Sequence, residues 1–277
     1  MIPGSRRPPI ALQERPLAGL RIVLTRPREQ AGEFMSVVSS LGGRPEIAPA
    51  IEIAPPQSWS ELDAALGKLD RYAWIAFTSA NAVRSLAGRA RALGMGPASF
   101  APVKLAAVGR STADVLAAEL RPPDAIASSA SASALGSDLE VSPGTRVLLP
   151  LGELAGDDLA AVLRVRGAEV AEVTAYRTVP GDGIPAIVAG WLDETIAALL
   201  FASGSAVSFV AEALSAARTA HGDVSGVRPA IFCIGPSTAS AAVTAGFEPD
   251  GVSATATQQA LIDEMVRWFA EHRPGNA

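Results

Sequence analysis

Cysteine, histidine and basic charge are all scarce in this chain, and each scarcity removes a class of function. Cys233 is the only cysteine, so an intrachain disulfide is excluded. It sits in the apolar run Ile231 to Ile234, the place of a buried strand residue rather than a nucleophile. The two histidines, His221 in a polar connection and His272 near the carboxyl end, have no cysteine or second histidine at metal-ligand spacing. No metal site is therefore expected. The formal net charge of −5 and scattered arginines do not supply the concentrated basic surface that nucleic acid requires. No apolar run approaches the ~20 residues needed to span a bilayer, and no signal-peptide core follows Arg6 and Arg7. The expectation is a cytoplasmic protein with neither a nucleic-acid nor a membrane partner. Both G-x-G-x-x-G after a strand and G-x-x-x-x-G-K-[ST] are missing, which removes the usual sequence signs of a bound nucleotide.

What the chain does have is an internal echo. The apolar strand ending at Phe77 runs into Thr78, Ser79, Ala80, Asn81, Ala82, Val83, and the pattern returns as Phe201, Ala202, Ser203, Gly204, Ser205, Ala206, Val207. Ser79 and Ser203 are 124 residues apart. Arg146 to Leu149 repeats Arg21 to Leu24, and Gly167 repeats Gly42, at 125; Gly109 and Thr112 return as Gly235 and Thr238 at 126. A drift of two residues over these landmarks identifies a duplication. With 277 residues and 49% hydrophobic content, two domains are expected.

Residues 1–18, with four prolines and no periodicity, read as a disordered leader, and order is expected from about Gly19. From there strands alternate with helices. Strand Arg21 to Thr25 and helix Ala31 to Leu41, stopped by Gly42 and Gly43, are followed by one strand from Glu46 to Ile53 closed by Pro55 and Pro56. The helix Trp59 to Leu69, the strands Trp74 to Phe77 and Lys104 to Val108 with their helices, and a helix over 134–139 complete the first pass. The second replays it, ending in a helix over Gln259 to Phe269 and a tail over 271–277. Such alternation predicts an α/β fold with parallel sheets flanked by helices. In sheets of that kind ligands bind beyond the carboxyl ends of the strands.

At those ends lie four turns: Thr78, Ser79, Asn81; Ser111, Thr112; Ser203, Ser205; Ser237, Thr238. Each sets hydroxyl or amide groups beside the free N–H groups of a helix start, an arrangement suited to carboxylates or phosphates. Any single turn also reads as a helix cap with no ligand. Arg26 and Arg28, at the mouth of the first strand, read equally as carboxylate partners or as solvated loop charges. Tyr176 ends the strand that leaves the middle of the chain, as a packing residue or a proton donor. Asp157 and Asp158 are adjacent and diverge on a helix, so they do not form a catalytic pair.

The ordered series L-T-R-P at Leu24 to Pro27, F-T-S-A-N-A-V at Phe77 to Val83, V-G-R-S-T-A at Val108 to Ala113, A-Y-R-T at Ala175 to Thr178, F-A-S-G-S-A-V at Phe201 to Val207 and I-G-P-S-T-A at Ile234 to Ala239 resembles the uroporphyrinogen-III synthase family. The resemblance spans about Gly19 to Phe269. It implies two α/β domains joined by two strands, one from 19–50 plus 180–270 and the other, inserted, from 54–174. Repetition alone suggests contiguous halves split near residue 143 instead. By the same resemblance the substrate is hydroxymethylbilane and the product uroporphyrinogen III, formed by a cofactor-independent monomer that inverts the last pyrrole ring through a spiro intermediate. The substrate's eight carboxylates would meet N–H groups and hydroxyls in an interdomain cleft. Ser79, Thr112, Ser203 and Thr238 match the family's hydroxyl positions, Arg26 its first-strand arginine, and Tyr176 a tyrosine that would assist departure of the hydroxyl. One departure stands out: relatives often carry arginine where this chain has Leu151. That departure leaves an alternative open, a catalytically inactive tetrapyrrole-binding protein of the same fold.

Overall fold

The computed structural model describes residues 15–221 and 227–272. Most of the expected leader, and residues 273–277 of the expected tail, lie outside that range.

The elements alternate along the chain. The strand β1 (Arg21–Leu24), the helix α1 (Phe34–Ser40) and β2 (Arg44–Ile47) come first. Then follow β3 (Ile51–Ala54), α2 (Ser60–Leu66), β4 (Trp74–Phe77), α3 (Ala80–Ala92), β5 (Lys104–Ala107) and α4 (Arg110–Glu119). The middle of the chain holds β6 (Ala125–Ile126), α5 (Ala132–Asp138), β7 (Arg146–Gly152), α6 (Asp158–Val165) and β8 (Glu169–Pro180). The last stretch contains α7 (Ile184–Leu192), β9 (Ala198–Phe201), α8 (Gly204–His221), β10 (Ala230–Cys233), α9 (Pro236–Thr244), β11 (Gly251–Val252) and α10 (Gln258–Glu271). None of the described helices is long and apolar enough to cross a membrane.

The chain divides into two compact units. Unit 1 takes the described residues of Met1–Glu52 and Pro180–Ala277, and unit 2 is Ile53–Val179. The duplicated sequence therefore does not fold as two contiguous halves split near residue 143.

In unit 1 five strands form one sheet in the order β11-β10-β9-β1-β2, every pair parallel. Strand alternation explains its two cores. Val23, Leu199, Phe201, Ile231 and Cys233 face one way, against Ile187 of α7, Val207 and Val210 of α8 and Ala242 of α9. Their neighbours Ile22, Leu24, Leu200 and Phe232 face the other, against Phe34 and Val38 of α1 and Leu261 and Met265 of α10. Strands covered on both faces have no polar side to show, which is why β9 and β10 read as continuous apolar runs.

Unit 2 repeats the plan in a six-stranded sheet, β3-β8-β7-β4-β5-β6. Ile75, Phe77, Leu105 and Leu148 pack against α2, α3 and α4; Trp74, Ala76, Val147 and Leu149 pack against α5 and α6. The duplication extends to backbone conformation. Gly42 and Gly167, each two residues past the end of its helix, share a φ of +86°, a left-handed stop that favours glycine.

Three expectations about elements need correction. The single strand over Glu46 to Ile53 is two strands, β2 and β3, in two different sheets. Pro49 lies in the break and cannot donate to a ladder, so the run changes sheets there. Order also begins before Gly19. Leu17 is fully buried beside α1, and its N–H donates to Leu41 O; an aliphatic side chain within reach of a core joins it, whatever the composition around it. At the other end Glu271 completes α10, and the His272 ring stacks on Trp268 at 4.4 Å.

Candidate active site

The strand order of unit 2 sets the carboxyl ends of β8, β7, β4 and β5 side by side. After β4, Ser79 takes an extended conformation and caps α3, its Oγ accepting the Ala82 N–H at 3.1 Å. Asn81 is the second residue of that helix and half-buried. After β5 the cap is Gly109, which brings no side chain to the helix start. Ser111 is exposed there, whereas Thr112 is buried against the unit's core.

Unit 1 repeats this at β9 and β10. Ser203 Oγ accepts the Ala206 N–H at 3.2 Å, with Ser205 half-buried next to it. Gly235 caps α9 without a side chain; Ser237 is exposed and Thr238 buried. Gly109 and Gly235 even share their extended conformation, φ 179° and 177°. The four turns are therefore of two kinds, not one. In the serine turns a hydroxyl already satisfies one N–H of the helix start. In the glycine turns no side chain does so, an arrangement able to receive anionic oxygens.

Arg26 follows β1, beside β9 in the same sheet. Burial pushes its guanidinium pKa down, and among the described residues no acidic group offsets it. A half-buried cation without a carboxylate partner is costly to keep charged. Arg28 is exposed.

Tyr176 is not at the end of its strand, since β8 continues to Pro180. It sits at an irregularity. Leu151 pairs with Thr174 and Gly152 with Tyr176, leaving Ala175 unmatched. In a regular strand Ala175 and Tyr176 would point to opposite faces. The bulge turns both toward the cluster packed under α3, where Ala175 is buried and Tyr176 partly so. The phenol oxygen thereby comes within 3.3 Å of Ser79 Oγ. Leu151, by contrast, packs with α5 and α6 on the opposite face of the sheet.

Sequence reasoning missed several residues around these sites. Ser85 of α3 donates to Ala175 O, the carbonyl of the unmatched bulge residue. At the other ends of the sheets Asp124 accepts the Leu105 N–H at 2.7 Å and Asp250 the Ile231 N–H at 2.8 Å, each also paired with an arginine, Arg121 and Arg228. Asp250 and Ile231 repeat Asp124 and Leu105 at the duplication's offset of 126, so the second aspartate could have been found by aligning the halves; the arginines, 107 apart, do not follow it. Cys233 is buried, which raises its thiol pKa to about 11. Among the described residues no three His, Cys, Asp or Glu side chains group closely enough to hold a metal ion.

Two parallel α/β units, with hydroxyl turns at their strand ends, define the class: a two-domain α/β protein. Known proteins give it a family. The family model for uroporphyrinogen-III synthase HemD matches residues 33–263. The uroporphyrinogen-III synthase of Synechococcus elongatus is 33% identical over 183 residues, 64% of this chain and 69% of that protein. Among solved structures, a mutant uroporphyrinogen III synthase from the extremely thermophilic bacterium Thermus thermophilus superposes with a TM-score of 0.63 at 23% identity, covering 91% of this chain and all of that one. The corresponding protein of Helicobacter pylori gives a TM-score of 0.57 at 15% identity, covering 90% and 99%. These two likenesses establish the shared fold. The chain belongs to the uroporphyrinogen-III synthase family, hydro-lyases of tetrapyrrole biosynthesis.

Proposed function

We propose that the chain closes hydroxymethylbilane to uroporphyrinogen III with inversion of the last ring, acting as a cytoplasmic monomer, and that Tyr176 assists departure of the substrate's hydroxyl. Ser79, Asn81, Ser111 and Thr112 of unit 2, and Arg26, Ser203, Ser205, Ser237 and Thr238 of unit 1, are the groups offered to its carboxylates.

The observation that carries this reading is the contact between Tyr176 and Ser79. Ser79 Oγ accepts the Ala82 N–H and lies 3.3 Å from the phenol oxygen, a contact across which either oxygen can donate. With Ser79 as the donor, the phenol's proton is available to the hydroxyl that must leave as water. Electrons from the pyrrole nitrogen expel that water, and the terminal carbon becomes the electrophile. The last ring attacks that carbon through its already substituted α-position, giving the spiro species. The bond from that position to its old methylene bridge then breaks, and the freed methylene is attacked by the ring's other α-carbon, whose hydrogen leaves as a proton and restores the phenol. The balance is one water lost. Because the linear substrate closes unaided to the uninverted isomer, most of the protein's work is to impose one folded geometry. Charge-assisted hydrogen bonds of about 1.5–3 kcal/mol each, at uncapped helix starts and at Arg26, are suited to that.

Leu151, the residue that leaves an inactive protein open as an alternative, packs on the face of the sheet away from the phenol, so an arginine is not missing beside Tyr176. The test is direct: purified protein supplied with hydroxymethylbilane should yield the type III isomer on chromatography, while type I alone, as in a protein-free control, would reject the reading. Light scattering at working concentration checks the monomer.

A further inference from the structure

We infer that Ser85 and Gly152 are positioning residues for Tyr176, holding its phenol in place from behind and beneath. The inference rests on the reading of Tyr176 as the proton donor, and it explains how a tyrosine on a bulged strand keeps one orientation.

A bulge frees a backbone group as well as redirecting a side chain. Ala175 has no partner across the ladder to β7, so on that side its buried carbonyl needs another donor. A lost partner of that kind is a source of strain and motion. The Ser85 hydroxyl supplies the missing bond. Ser85 lies on α3, the same helix that Ser79 starts, so the helix grips β8 twice: Ser79 touches the phenol, and Ser85 fixes the peptide immediately before it. Rotation of that peptide would swing the ring, whose Cα it precedes.

Gly152 closes the other side. It is the direct cross-strand partner of Tyr176, and the ring lies over its Cα. A methyl group added at Gly152 would stand 2.7 Å from Tyr176 Cζ and 2.8 Å from its hydroxyl oxygen. Gly152 is not among the glycines with positive φ, so alanine could adopt its backbone, and the clash with the ring is what such a substitution would introduce. Supporting groups of this sort hold a reacting group to within about 0.5 Å, which is what proton transfer to a particular oxygen demands.

The chain's small tyrosine content makes the test clean. Tyr72 and Tyr176 are the only tyrosines, so Tyr72→Phe leaves one ring to observe by carbon-13 NMR. In that background Ser85→Ala should shift or broaden the Tyr176 ring resonances, Ser85→Thr should restore them, and Gly152→Ala should shift them further. In turnover, Ser85→Ala should lower kcat roughly 10-fold with KM within about twofold. In a Tyr176→Phe background it should lower kcat no further, because the group it positions is gone. An unchanged ring signal in Ser85→Ala, or an equal loss of kcat in both backgrounds, overturns the inference. A Tyr176→Phe enzyme as fast as the parent would instead reject the role given to Tyr176 above, and the ring resonances alone would then decide whether Ser85 and Gly152 position it.

Discussion

Ser79 Oγ lies 3.3 Å from the Tyr176 phenol oxygen while accepting the Ala82 N–H, so one hydroxyl both starts a helix and touches the candidate proton donor. Among the described residues the side chain of its counterpart Ser203 makes only the capping bond, to the Ala206 N–H. The two serines should therefore respond differently to the same change. Ser79→Ala and Ser203→Ala are each expected to lose about 1 kcal/mol of stability with the cap. Only Ser79→Ala should also slow the chemical step through Tyr176. Denaturant unfolding together with single-turnover rates separates the two effects.

Tyr176→Phe removes the donated proton and leaves the ring packed on Gly152. Turnover is expected to fall roughly 10- to 100-fold, with little change in KM, and not to vanish, since folding of the substrate still supplies much of the acceleration. Stopped-flow rates with isomer analysis check this. An unchanged rate removes Tyr176 from the reaction.

Arg26→Gln discards a half-buried cation that has no carboxylate partner among the described residues. The free protein should be no less stable, because a desolvated charge has gone with it. Apparent affinity for the polycarboxylate should drop about 10-fold, and the salt dependence of KM should flatten. Thermal melting with KM measured against ionic strength reads both.

Asp124 bears on acid stability. Burial acts to raise its pKa, but the bonds from Arg121 and the Leu105 N–H outweigh it and hold the carboxyl below its ordinary 3.8. A folded-state pKa below the unfolded one means that the unfolded chain takes up protons first as pH falls. The contribution is complete above about pH 4 and is lost on acidification. Asp124→Asn should cost about 1 kcal/mol at neutral pH, discounted for the carboxyl's partial exposure, and should flatten the acid limb of the stability profile.

Cys233 gives the alkaline counterpart. Its thiol, raised from 9.0 to about 11 by burial, stays neutral in the folded protein, so its contribution is full below 9.0 and fades as pH climbs toward 11. Thiol reagents at about pH 8, below both values, are expected to label it only once the protein unfolds.

The strand-turn-helix plan was legible because runs such as Trp74 to Phe77 are buried on both faces and leave no polar alternation to confuse. The hydroxyl turns were legible because the chain states them twice. What was not legible depends on contacts between distant segments. Residues 46–53 read as one strand, because a change of sheet at Pro49 leaves the apolar content unaltered on either side. The bulge at Ala175 is a mismatch between β7 and β8, and no residue type announces it, so Ser85 and Gly152 passed unnoticed. The difference between serine and glycine turns was present in the letters, yet its meaning depended on which oxygens reach which N–H groups.

β1 sits between β2 and β9, and its neighbour Thr25 bonds Leu200 O through its side chain across 175 residues of chain. Unit 2, a continuous stretch, has all its strands before β9 leaves the ribosome. Unit 1 does not: until then β1 has one edge unsatisfied and Ile22 and Leu24 without most of their core. Non-local pairing of this kind slows folding and exposes apolar surface meanwhile. Synthesis is thus expected to run in two acts, with unit 2 resistant to protease on the nascent chain well before unit 1. Pulse proteolysis of stalled chains would read that order directly, and destabilising changes in the first strand should reduce yield more than equal changes in unit 2.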